Sequence, residues 1–144
     1  MRIIIKTRVN ASIEKVKDGF TKDLFLKVNP PFPPVRLVQF DGCEAGDKVV
    51  LELNFILFKQ YWASDIIEDY TSDIQWYFID IGKKLPFFLK SWRHVHEVKS
   101  VKSGSLIRDD ITFSTGLILT DLIMYPLLLL QFLYRKPIYK RIFK

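Results

Sequence analysis

Arg2–Val9, with Ile3-Ile4-Ile5 near its start, reads as a strand. At Ser12 the rhythm changes. Ile13, Val16 and Phe20 fall at helical spacing behind a serine suited to cap the helix, and a second helical turn follows over Lys22–Leu26. Asn29-Pro30-Pro31-Phe32-Pro33-Pro34 predicts a stiff, extended connector, because proline fixes φ and has no backbone N–H to donate.

Beyond it a period of two sets in. Val35–Phe40 runs into a glycine turn, and Lys48–Phe58 sets Val49, Leu51, Leu53, Phe55 and Leu57 on one face against Glu52 and Asn54. Gln60–Tyr70 and Asp73–Ile81 follow after short polar connections, as in an antiparallel meander. A lysine-rich loop, Gly82–Leu89, leads to Ser91–Val101 and Leu106–Ser114, a hairpin around Lys102-Ser103-Gly104-Ser105. From Gly116 onwards the chain turns strongly apolar. A helix through Tyr134 would be about 28 Å long, and Pro126 should kink it near Leu122. The order predicts a single α+β domain over 1–144, with about seven antiparallel strands curved around a long C-terminal helix.

Leu117–Tyr134 is also close to the length of a membrane span, with cations behind it as the positive-inside rule expects. Asp121 argues against a span, since a carboxylate at the centre of hydrocarbon costs about 2.5 kcal/mol or more. A helix covering a concave sheet would be as apolar, and that is the expectation carried forward.

Composition sharpens the picture. Hydrophobic residues make up 49% and aromatics 15%, which suits either a large apolar interior or an apolar cavity. The single cysteine, Cys43, has no partner for an internal bridge and no nearby base, so it reads as an incidental thiol. The net charge of +6 is uneven: Arg135, Lys136, Lys140, Arg141 and Lys144 all lie in the last ten positions. Interleaved with Ile138, Tyr139, Ile142 and Phe143, they suit an anionic membrane surface or a protein partner; a solvated helix end accounts for them equally. No basic face interleaved with aromatics points to nucleic acid. No phosphate-cradling glycine loop and no G-x-S-x-G elbow is present. Met1–Thr7 is charged too early for a signal peptide, so a cytoplasmic protein is expected.

The chemistry concentrates in Trp92-Arg93-His94-Val95-His96. On a strand, Trp92, His94, His96 and Val98 share one face; on the next, Ile107, Asp109, Ile111 and Phe113 do. If the hairpin joins these faces, Asp109 reaches one histidine, favouring its charged form and fixing its tautomer. The cluster suits a structural network or ligand contact, a general acid–base pair, or a metal site; for a metal, two histidines and one aspartate are only suggestive.

Phe78-Ile79-Asp80, Pro86-Phe87, Trp92 to His96 and Asp109-Asp110-Ile111-Thr112-Phe113 together resemble an F-x-D…G-P-F…W-x-H-x-H…D-x-V-x-Y pattern. It belongs to a bacterial branch of the START-like superfamily, also called SRPBCC, which includes polyketide cyclases, lipid-transfer domains and Bet v 1-type proteins. In that branch the domain is sometimes attached to sugar-nucleotide epimerase-like proteins. Leu85 departs from the pattern's glycine, and the gap from Phe87 to Trp92 is somewhat longer.

The resemblance implies a helix-grip fold and a cavity between sheet and final helix for a lipid, polyketide or other apolar molecule. Trp76, Phe78, Trp92, Ile111, Phe113, Leu119 and Ile123 are expected to line it, with His94, His96 and Asp109 orienting a polar end. No metal or cofactor is expected. The alternatives are a cyclase- or dehydratase-type enzyme using a His–Asp pair, and a membrane-associated protein acting through its apolar C-terminal segment.

Overall fold

A computed structural model describes residues Met1–Lys144. Strand β1 (Arg2–Val9) leads to helices α1 (Ile13–Gly19) and α2 (Lys22–Lys27), then β2 (Val35–Phe40), β3 (Lys48–Asn54), β4 (Lys59–Thr71), β5 (Gln75–Lys84), β6 (Ser91–Val101) and β7 (Gly104–Ser114). Helices α3 (Ile118–Leu133) and α4 (Arg135–Ile142) complete the chain. The seven strands form one antiparallel sheet in the order β1-β7-β6-β5-β4-β3-β2. Register shifts at Leu37/Gln39, Ala63/Ser64 and Ile66/Glu68 bend β2 and β4. This is the expected α+β helix-grip architecture.

Local chemistry accounts for the boundaries. Ser12 Oγ accepts from the Lys15 amide and Thr21 Oγ1 from that of Leu24, capping α1 and α2. Gly104 closes the β6–β7 turn at φ +141°, where an added Cβ would lie 2.1 Å from the Val9 carbonyl oxygen. Asp121 accepts from both the amide and the hydroxyl of Thr115, at 2.6 and 2.7 Å, which ties down the start of α3. Its carboxylate is therefore satisfied within the protein.

Several expectations change. β3 ends at Asn54, so Phe55–Phe58 form the turn into β4; Leu57 is 91% exposed instead of continuing the buried face. The C-terminal helix reaches well past Tyr134: α3 runs through Pro126 to Leu133, and Tyr134, itself helical at φ −57° and ψ −27°, joins it to α4. The basic tail is not a free amphipathic strip. Ile138, Tyr139 and Phe143 are buried against α1, α2 and the sheet, and Arg135 is buried too. Of the four apolar side chains interleaved with the tail cations, only Ile142 is left exposed.

Two apolar clusters form. One joins Val16, Leu24, Trp76, Phe78 and Val98 to Tyr139 and Phe143; the other joins Ile3, Ile5, Trp92, Ile111 and Phe113 to Leu128 and Phe132 of α3.

Candidate functional site

The polar wall grows out of strand register. β5 and β6 set Asp80 opposite His94, and β6 and β7 set His96 opposite Asp109. Alternation turns all four side chains to the helix-covered face. His94 Nε2 lies 2.9 Å from Asp109 Oδ1, and His96 Nε2 lies 2.8 Å from Asp80 Oδ2. The Trp92 indole N–H donates to Asp80 Oδ1 at 3.1 Å. The imidazoles lie with centroids 3.5 Å apart and planes tilted by 34°, and Phe78 stacks on His96 at 4.2 Å. Arg135 Nη1 lies 3.7 Å from Asp109 Oδ1, with its guanidinium over the Phe132 ring. His94 thus leans on one apolar cluster and His96 on the other.

Burial lowers the His96 pKa to about 4, and neighbouring His94 adds to the effect despite the pull of Asp80 and Asp109. At neutral pH its Nε2 therefore carries the proton donated to Asp80, leaving Nδ1 as a buried acceptor with no partner in the protein. Burial pushes both carboxyls up, but hydrogen bonds and charge outweigh it. His96, His94 and Trp92 hold Asp80 below the usual carboxylate value, while His94, Arg135 and His96 do so for Asp109. Asp80, His94 and His96 could hold a cation, with one ligand atom each within 4.8 Å of one another.

This wall borders a cavity of about 650 Å³ between the sheet, α2 and α3, within the range of small-molecule sites. Of its 36 lining residues 25 are hydrophobic, so the polar wall is one patch in an apolar chamber.

Of the residues singled out from sequence, Phe78, Trp92, His94 and His96 line the cavity. Asp109 sits behind His94, hydrogen-bonded to it. Trp76, Ile111 and Phe113 are buried in the two cores and are not among the lining residues. Leu119 and Ile123 lie elsewhere: they are 72% and 64% exposed on the outer face of α3. The face turned to the chamber is Met124, Leu128, Gln131, Phe132 and Arg135. A helix apolar on nearly every side has no periodic signal to choose between these stripes. Asp80 matched the family pattern, yet its tie to His96 depends on a strand pairing that no local signal announces. Arg135 was hidden among the tail cations.

Cys43 also borders the cavity, its thiol pushed up to about 12, chiefly by burial and further by Asp47, Asp80 and Glu44. Iodoacetamide at pH 8 should therefore alkylate it on the order of a thousandfold more slowly than an unfolded cysteine. Labelling at equal rates in native and denatured protein would refute this.

No protein-family model matches the chain, and no curated protein does either. Solved structures do. The Zhui aromatase/cyclase from Streptomyces sp. R1128 superposes with TM-score 0.65 at 10% identity, covering 95% of this chain and 89% of that one. Ara h 8.0201, at TM-score 0.59 and 12% identity, covers 95% of both chains. A nucleoside-diphosphate sugar epimerase from Corynebacterium glutamicum matches at TM-score 0.60 and 25% identity over 90% of this chain but 28% of its own. These likenesses are to the helix-grip fold shared by Bet v 1-like proteins and polyketide cyclases.

Proposed function

Starting from a chain with the START-like helix-grip fold, we propose that it binds a hydrophobic small molecule, lipid- or polyketide-like, as a cytoplasmic carrier or sensor. The observation that carries this reading is the cavity itself: about 650 Å³, mostly apolar, with hydrogen-bonding groups gathered on one wall. The free Nδ1 of His96 gives that wall an unused acceptor, suited to a ligand hydroxyl. Mass spectrometry of an organic extract should detect an apolar compound, and a fluorescent fatty acid should bind saturably. Ser64, buried on β4 and lining the cavity, offers the control. Ser64→Trp fills the space, and should weaken probe binding at least about tenfold, the effect of 1.4 kcal/mol, without lowering the melting temperature. Empty extracts together with an unaffected probe would end the proposal.

A cyclase- or dehydratase-type enzyme is the second reading, supported by two histidine–carboxylate pairs on the wall of one cavity. It requires that an extracted ligand come back chemically altered after incubation with the protein, and unaltered with His94→Gln.

A further inference from the structure

One end of the sheet is unlike the rest of the surface. The pairings Val35–Leu53, Asn54–Lys59, Ala63–Lys84 and Ser91–Ser114 bring four segments together there: the proline connector, the β3–β4 turn, the β5–β6 loop and the entry to α3. Each carries large apolar side chains in the open. Phe32, Phe87 and Leu117 are exposed, and Ile56 and Leu57 are 81% and 91% exposed. The apolar outer face of α3 continues the patch, and Asp121, the one charged residue between Gly116 and Tyr134, is turned inward onto Thr115. Such an area exceeds the scattered apolar residues of an ordinary surface.

The solvent-facing charges of these segments have one sign, Glu52 of neighbouring β3 being buried and paired with Arg36 and Lys59. Residues 30–34, 55–59, 82–91 and 113–120 contain Lys59, Lys83, Lys84 and Lys90 and not one carboxylate. The opposite end carries Asp41, Glu44, Asp47, Asp69 and Asp73 among its lysines. Apolar tips rimmed by lysines match the two layers of an anionic lipid surface, acyl chains beneath and phosphates above. A second copy of the same face would bring the lysines together without counter-charges. The patch also surrounds the way into the chamber: Phe32, Phe87, Leu127 and Leu130 line the cavity and are exposed at once.

We propose that this end of the sheet docks on the surface of an anionic membrane, with Ile56, Leu57 and Phe87 in the acyl boundary, Lys83, Lys84 and Lys90 at the headgroups, and the cavity mouth facing the lipid. The docking face stands apart from the buried basic tail. It gives the cavity a route by which an apolar guest enters without crossing water, and it does not depend on the identity of that guest.

Flotation of the full chain with vesicles tests it. Binding is expected to phosphatidylcholine vesicles containing phosphatidylserine, weakening with added salt, and to be far lower on phosphatidylcholine alone. Leu57→Asp should lower partitioning on the order of tenfold. Lys83→Glu, which reverses one charge, should do so by about fivefold or more. Ile74→Asp at the opposite end is the matched control and should have no effect, Ile74 being exposed as well. Leu57 and Lys83 do not line the cavity, so fatty-acid binding should survive both variants and separate this proposal from that for the cavity. No binding to either vesicle, equal losses with Leu57→Asp and Ile74→Asp, or a dimer that Leu57→Asp dissolves without any vesicle binding would each overturn it.

Discussion

Asp109→Ala is expected to lower the unfolding free energy by about 3–5 kcal/mol, a large share of what a domain of this size commonly has. Asp109 is almost wholly buried. It accepts from His94 and balances the buried guanidinium of Arg135, whose Nε already lacks a partner. Removing the carboxylate leaves that cation uncompensated in an apolar surround, and the penalty for an unpaired buried charge sets the magnitude. Asp110, the next residue, points to the other face and pairs with Arg2 and Arg108, of which Arg2 is well exposed. Asp110→Ala should therefore cost no more than about 1 kcal/mol. Urea unfolding of the two variants beside the parent makes the comparison, and equal losses would show that the inner network is not what stabilises the strands.

Acid should weaken the fold in a window set by His96. The unfolded chain takes up a proton at this residue near 6.5, the folded chain only near about 4. Between those values the unfolded state binds more protons, so stability is full above about pH 6.5 and declines as pH falls towards 4. The loss from this group is on the order of 3 kcal/mol. Asp80 and Asp109, held below the ordinary 3.8, act in the same direction at still lower pH, because their stabilising contribution disappears as they protonate. Unfolding free energies from pH 7.5 to 4 for the parent and for His96→Phe check this. The variant should lose the slope above pH 4, and a variant that keeps it would assign the proton uptake elsewhere.

Both results concern residues that sequence made partly visible. Alternation placed Trp92, His94, His96 and Val98 on one face, and their shared burial follows from the same arithmetic. The β6–β7 hairpin was equally plain, because a lysine–serine–glycine turn between two alternating runs has few other solutions. Partnership across strands is another matter. Asp80 and His96 lie on strands joined by the β5–β6 loop, and only backbone register, which sets Asp80 opposite His94, brings it within diagonal reach of His96. Helix orientation was legible least. Leu119 and Ile123 are as apolar as Met124 and Leu128, and the choice between the stripes is made by Leu128 and Phe132 packing beside Trp92 and Phe113. The Phe55–Phe58 turn hid for a similar reason. Its residues continue an apolar alternation that the strand abandons, and their aromatic rings gather with Phe87 and Phe88 instead.

Arg135 begins α4, directly after Tyr134, while its side chain reaches down to Asp109. One ion pair thus ties the joint between the two helices to the floor of the chamber, beside the apolar packing of Leu128, Phe132 and Tyr139.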